Sequence, residues 1–183
     1  MAKDNSKPPK KGRKAYLNDF QPNLAGEYTY TGAHYRYAGN KMSYRSARAQ
    51  VIISVSAMLA GLLAPGFVRA GGMGNCFYVL IPYMAEAISV FVTLYAVFKM
   101  LTGSERLREY IYEKSVLRIP GGCICCAAFA ALGFICSMIF SAINGIGGST
   151  AEAAVLIVGK TLGITAPLSM RKHILSLEWK KEA

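Results

Sequence analysis

Four long apolar runs follow one another down the chain, separated by short polar stretches. Val51–Val68 holds 18 residues without a charge, Cys76–Phe98 holds 23 with one, Glu86, and Gly121–Ile143 holds 23 with none. Ala151–Leu168 holds 18 with two, Glu152 near its start and Lys160 in its middle. A bilayer's hydrocarbon core takes about 20 apolar helical residues, with a range of about 17–25. All four runs therefore predict membrane-spanning helices, the fourth carrying a central lysine that costs about 2.5–3.5 kcal/mol to insert. The expected architecture is an all-α integral membrane protein. A four-transmembrane-helix bundle fills residues 49–170, between a largely disordered basic N-terminal tail (1–48) and a C-terminal tail (171–183).

The stretches between the runs complete this picture. Arg69–Asn75 and Asn144–Thr150 are short and glycine-rich, as suits turns between antiparallel neighbours. Lys99–Arg118 is longer and charged, and Ser104–Lys114 within it reads as a short amphipathic helix with Leu107, Tyr110 and Ile111 toward the membrane. Ahead of the first run, Met1–Lys14 is polar and basic, with Pro8-Pro9. Glu27–Tyr37 then alternates aromatic and polar residues around Gly32, which predicts a short hairpin or extended segment. A lone two-stranded hairpin is marginal in water, so this segment needs a surface to lie on.

Composition agrees with the pattern. Hydrophobic residues make up 53% and charged ones 17%, with a mean hydropathy of +0.29, which is too apolar for an ordinary soluble or disordered chain. The formal net charge of +11 gains meaning from its placement. Nineteen Lys and Arg fall before the first run, between the second and third, or after the fourth, and only Arg69 falls on the other side. The positive-inside rule then puts both termini and the long loop in the cytoplasm. No secretory signal is expected, because the first apolar run lies behind a long polar segment. These features point to a plasma membrane, in the first instance a bacterial inner membrane.

Candidate chemistry is sparse. Glu86 lies ten residues into the second run, and Lys160 about ten into the fourth. Both runs enter from the same side, so both charges sit about 15 Å deep at 1.5 Å per residue. Opposite charges at equal depth in hydrocarbon are expected to pair, either to fix which helices touch or to line an ion, proton or substrate pathway. Ser89 and Thr93 share a face with Glu86 and extend it with polar groups. Gly133, Ser137, Ser141 and Gly145 recur every four residues in the third helix, and Gly159 and Gly163 in the fourth. Such small residues let helices approach closely. Cys123, Cys125 and Cys126 open the third run where acylation is conceivable, although cysteine also packs as a small apolar residue.

Several classes are excluded or disfavoured. Five cysteines, four of them in one apolar run, do not form a disulfide framework. Neither a metal nor another cofactor is expected, since the two histidines, His34 and His173, lie in no ligand motif. Ala154–Thr161 formally resembles a phosphate-binding loop, but its loop positions are Val-Leu-Ile-Val within an apolar run. No paired carboxylates, histidine cluster or activated nucleophile supports an enzyme. The reading is a non-enzymatic multi-pass subunit or scaffold of a membrane complex with a cytoplasmic partner. The main alternative is a small oligomeric transporter or channel subunit using Glu86 and Lys160, and a membrane-embedded enzyme stands unsupported behind both. Expected partners are the lipid bilayer, anionic headgroups along the basic tail, and a second protein or further copies of this chain. Nucleic acid is disfavoured for want of a binding motif.

Overall fold

The computed structural model describes residues 20–22, 27–30, 32–39, 41–68, 72, 76–103, 106–145 and 148–182. The segment Met1–Lys14 and its expected disorder lie outside the described residues. Among the described residues, four helices are long and apolar enough to cross a membrane: α1 (Lys41–Gly66), α2 (Phe77–Thr102), α4 (Ile119–Asn144) and α5 (Thr150–Leu175). A one-turn-plus helix, α3 (Glu109–Lys114), precedes α4. The protein is a four-helix membrane-spanning bundle, and the described residues outside the spanning helices include five short strands: β1 (Phe20–Pro22), β2 (Tyr28–Tyr30), β3 (His34–Tyr37), β4 (Arg106–Arg108) and β5 (Trp179–Glu182).

Each spanning helix has 26 residues. At 1.5 Å per residue that is about 39 Å, longer than a hydrocarbon core of about 30 Å. In α1 the surplus is the polar stretch Lys41–Gln50, which hydropathy alone does not reveal. Local signals set the ends. Ser149 caps α5, its Oγ accepting from the Glu152 amide at 3.3 Å, and Glu152 sits in the first turn where the helix dipole favours a carboxylate. Gly145 stops α4 with φ 80°. At the other end of α2, Arg48 Nη2 donates to the Leu101 carbonyl at 2.7 Å, satisfying one of the orphan acceptors of that terminus. Large apolar side chains such as Ile53, Phe91, Phe98 and Val158 point outward from the bundle, as a lipid-facing surface requires.

The helices do not pack in sequence order. α1 lies chiefly on α5, α2 on α4 and α4 on α5, while α1 and α2 barely touch. The expectation that Arg69–Asn75 joins close neighbours therefore fails for α1 and α2. Glycine is the reason. A Cβ on Gly61 of α1 would stand 2.6 Å from the Gly163 amide nitrogen and 2.9 Å from the Gly159 carbonyl of α5, so α1 approaches α5 at backbone distance and turns away from α2.

The strands decide one expectation and correct another. Of the two forms expected for Glu27–Tyr37, it is extended and does not fold on itself as a hairpin. β2 pairs with β1, Phe20 opposite Tyr30, whereas β3 pairs antiparallel with both β4 and β5. The sheet order β4-β3-β5 thus joins the tail before α1, the loop after α2 and the segment after α5. The expected helix over Ser104–Lys114 begins only at Glu109. Arg106-Leu107-Arg108 instead alternates with period two and forms β4, and Leu107 turns inward to 1% exposure, in the core cluster with Met100, Val116 and Ile119. On the same face Tyr35 stacks on Tyr112 at 4.1 Å, and Trp179 meets both Tyr37 and Tyr112 with ring centroids 5.9 Å apart. This aromatic layer is the surface that the tail needed.

Candidate functional site: the intramembrane ion pair

Lys160 Nζ donates to Glu86 Oε2 at 2.5 Å, and the two side chains are 0% and 2% exposed. The pair draws on all four spanning helices. Glu86 comes from α2 and Lys160 from α5. Tyr83, one turn before Glu86, lays its ring 5.1 Å from Nζ and donates its hydroxyl to the Leu62 carbonyl of α1 at 3.1 Å. On α4, Gly133 leaves the room: a Cβ there would stand 3.4 Å from Lys160 Nζ and 3.8 Å from Glu86 Oε2. On α5, Gly163 leaves the room behind Glu86, since a Cβ there would stand 3.1 Å from Oε1.

The energetics follow from burial. Each charge alone in this interior would be strongly penalised, and removing one partner of such a pair costs about 3–5 kcal/mol. The lysine is further served by the face of the Tyr83 ring. The Tyr83 ring and the glycine backbones of Gly133 and Gly163 lie around the buried pair.

The other residues singled out by sequence fall as follows. Ser137 is buried and donates to the Gly133 carbonyl at 2.9 Å. Gly159 meets Pro65 of α1, a Cβ there standing 2.7 Å from the proline ring. Ser141 is half-buried near the end of α4. Gly145 is exposed, with nothing within 4 Å of an added Cβ, so it is a helix stop and not a packing position. The hydroxyls of Ser89 and Thr93 are turned back on their own helix, donating to the carbonyls of Ala85 and Ser89 at 2.8 Å each. Thr93 shares the buried face of Glu86, and its hydroxyl also lies 3.5 Å from Cys126 Sγ of α4.

The three cysteines separate. Cys123 and Cys126 are buried against the bundle, Cys126 Sγ lying 3.5 Å from Thr93 Oγ1, and only Cys125 faces outward. Two of the three candidate acylation positions are therefore closed to an acyl chain. Val155–Thr161 runs as uninterrupted helix inside α5, so no phosphate-cradling loop forms there. Among the described residues no group of three or more His, Cys, Asp or Glu converges as a metal site.

Sequence reasoning missed Tyr83 and Gly61. The signal for Tyr83 was its i−3 spacing from Glu86, which puts both on one helix face. Gly61 carried no signal without knowing that α1 packs on α5. A separate cavity of about 310 Å³ lies near the sheet, lined by Tyr37, Ser46, Ala47, Gln50, Val51, His173, Ser176 and Leu177, remote from the ion pair. No family model matches this chain, and comparison with curated proteins and with solved structures gives no significant match.

Proposed function

We propose that the protein is a non-enzymatic multi-pass subunit or scaffold of a membrane complex. In this reading it anchors a folded cytoplasmic surface, made from its tail, inner loop and C-terminal segment, to which a protein partner docks. The observation that carries it is the β4-β3-β5 sheet. Segments that would otherwise be loose tails are spent on a small ordered platform at one end of the bundle. The charge distribution supports a cytoplasmic position for that platform, because the three stretches of sequence that supply its strands, before the first apolar run, between the second and third and after the fourth, hold nearly all the Lys and Arg. The membrane is then a plasma membrane, in the first instance a bacterial inner one, with anionic headgroups attracted to the basic tail.

The competing reading is a small oligomeric transport subunit using Glu86 and Lys160. The enclosure of the pair favours a packing role: glycine backbones frame it, and the neighbouring hydroxyls bond their own helix. The pair then acts as a lock that selects one helix arrangement.

Partner capture tests the proposal. The C-terminus is tagged, intact cells are crosslinked, and the complex is extracted in mild detergent. A stoichiometric second protein, crosslinked to Lys3–Lys14 or to the Lys99–Arg118 loop, is the expected result. Self-crosslinks alone, in a defined oligomer, would overturn it in favour of transport, to be followed by flux assays on Glu86 and Lys160 variants.

A further inference from the structure

The sheet's two faces differ in chemistry. Residues paired across strands share a face. Tyr35 pairs with Leu107 and Lys181, and Tyr37 with Trp179. This is the inner face, packed on the bundle, where Lys181 at its rim donates to Glu109 Oε1 at 2.9 Å. The outer face holds His34 opposite Arg108 and Glu182, and Arg36 opposite Arg106 and Lys180. Arg106, Arg36 and Lys180 thus form one row across three strands. With strands about 4.8 Å apart, the row is about 10 Å long.

Like charges placed directly opposite one another destabilise a sheet. Among the described residues, the outer face gathers four full cations, Arg36, Arg106, Arg108 and Lys180, and one carboxylate, Glu182. Glu182 meets Arg106 at 2.8 Å and Arg36 at 3.5 Å, and these side chains stay 63% and 53% exposed. The topology rule for basic residues asks only that they lie on one side of the membrane. It does not ask that three separate segments line them up.

We infer that the outer face of the β4-β3-β5 sheet is a docking surface for an acidic segment of a protein partner. The inference rests on the scaffold reading and names the chemistry of the partner. Charge complementarity selects an anion. The fold separates the protein candidate from the others. The inner face packs on the end of the bundle, which turns the outer face away from the spanning helices and from the headgroups that would surround them. Single-stranded nucleic acid binds by stacking bases on aromatic rings; Tyr35, Tyr37 and Trp179 face inward, in contact with one another or with Tyr112, and the described tyrosine ring against the outer face, Tyr30, is engaged edge-on by His34 and covered by Arg108. An acidic peptide needs only the cations.

The test uses the full chain in nanodiscs of neutral lipid, with a fluorescent decaglutamate peptide as probe. Binding is expected, weakening with salt. The Arg36→Gln, Arg106→Gln, Lys180→Gln triple variant is expected to weaken it about ten-fold, as the loss of three exposed charge contacts implies. Lys172→Gln, on α5 outside the row, is expected to leave it unchanged. Glu182→Gln, which removes the carboxylate that both arginines meet, is expected to tighten it. Unaltered Trp179 emission shows that each variant keeps its sheet. The inference is overturned if the triple variant binds as the parent does, or if binding vanishes with residues 1–14 instead. It is equally overturned if an oligonucleotide of equal charge, or phosphatidylserine vesicles, bind more tightly through the same three residues. Peptide binding without any partner captured in cells would leave this surface standing and remove the scaffold reading.

Discussion

Glu86 and Lys160 close a direct contact between α2 and α5, although α4 lies between those helices in the packing order. The contact is possible because α4 presents Gly133 at that level. An ion pair reaching across a glycine ties together two helices that hydrophobic packing leaves apart. It also gives the bundle a polar condition: arrangements that separate the two charges leave each one unpaired in hydrocarbon.

Glu86→Gln and Lys160→Met should each destabilise the protein by about 3–5 kcal/mol, read from denaturation in detergent. The double variant should lose clearly less than the two single losses combined, because no charge is left uncompensated. Singles that melt like the parent would show that the pair contributes nothing.

Gly61→Ala and Gly121→Ala make a matched test of helix approach. The first places a methyl 2.6 Å from α5 backbone, which cannot yield as a side chain end can. A loss of about 1–3 kcal/mol is expected. The second meets nothing within 4 Å and should be neutral, or stabilising by up to about 1 kcal/mol. Equal effects in thermal melts would refute the α1–α5 contact.

Maleimide labelling of single-cysteine variants should follow exposure. Cys125 should react in the folded, detergent-solubilised protein, while Cys123 and Cys126 should react only after unfolding. Mass spectrometry of protein from cells should place any acyl chain on Cys125 alone.

Trp179 is the chain's single tryptophan and reports on the sheet. Deleting residues 20–39 removes β3, leaving β4 and β5 without a common partner. A red shift of Trp179 emission and faster exchange at Arg106–Arg108 are expected. Unchanged emission would mean that the C-terminal segment holds its place without the tail.

A reporter fused after Ala183 should read cytoplasmic, and one fused after Gly103 should agree with it, because β3, β4 and β5 meet in one sheet. Opposite readings for these two fusions would break the sheet as described.

The spans were legible because each apolar run is long and nearly uncharged, and hydrocarbon thickness leaves little choice of where a helix can sit. The equal depth of Glu86 and Lys160 came from helix rise and entry side alone. Helix neighbours were not legible, since the contact of Gly61 with Gly159 and Gly163 depends on pairing elements about a hundred residues apart. The sheet was half legible. Period two was visible in Glu27–Tyr37, but a strand's partner is a long-range choice. Arg106-Leu107-Arg108 and Trp179–Glu182 are too short to declare themselves without it. Tyr35 and Leu107 recognise each other only once both are held at one end of the bundle.

The central strand comes before the first spanning helix, and its partners follow the second and the fourth. Between β3 and each partner the chain crosses the membrane an even number of times. If one helix failed to insert, β5 would stand on the opposite side of the bilayer from β3, and the sheet could not close. The order in which the strands lie across the sheet is therefore a parity check on membrane insertion, completed only when the last helix is through.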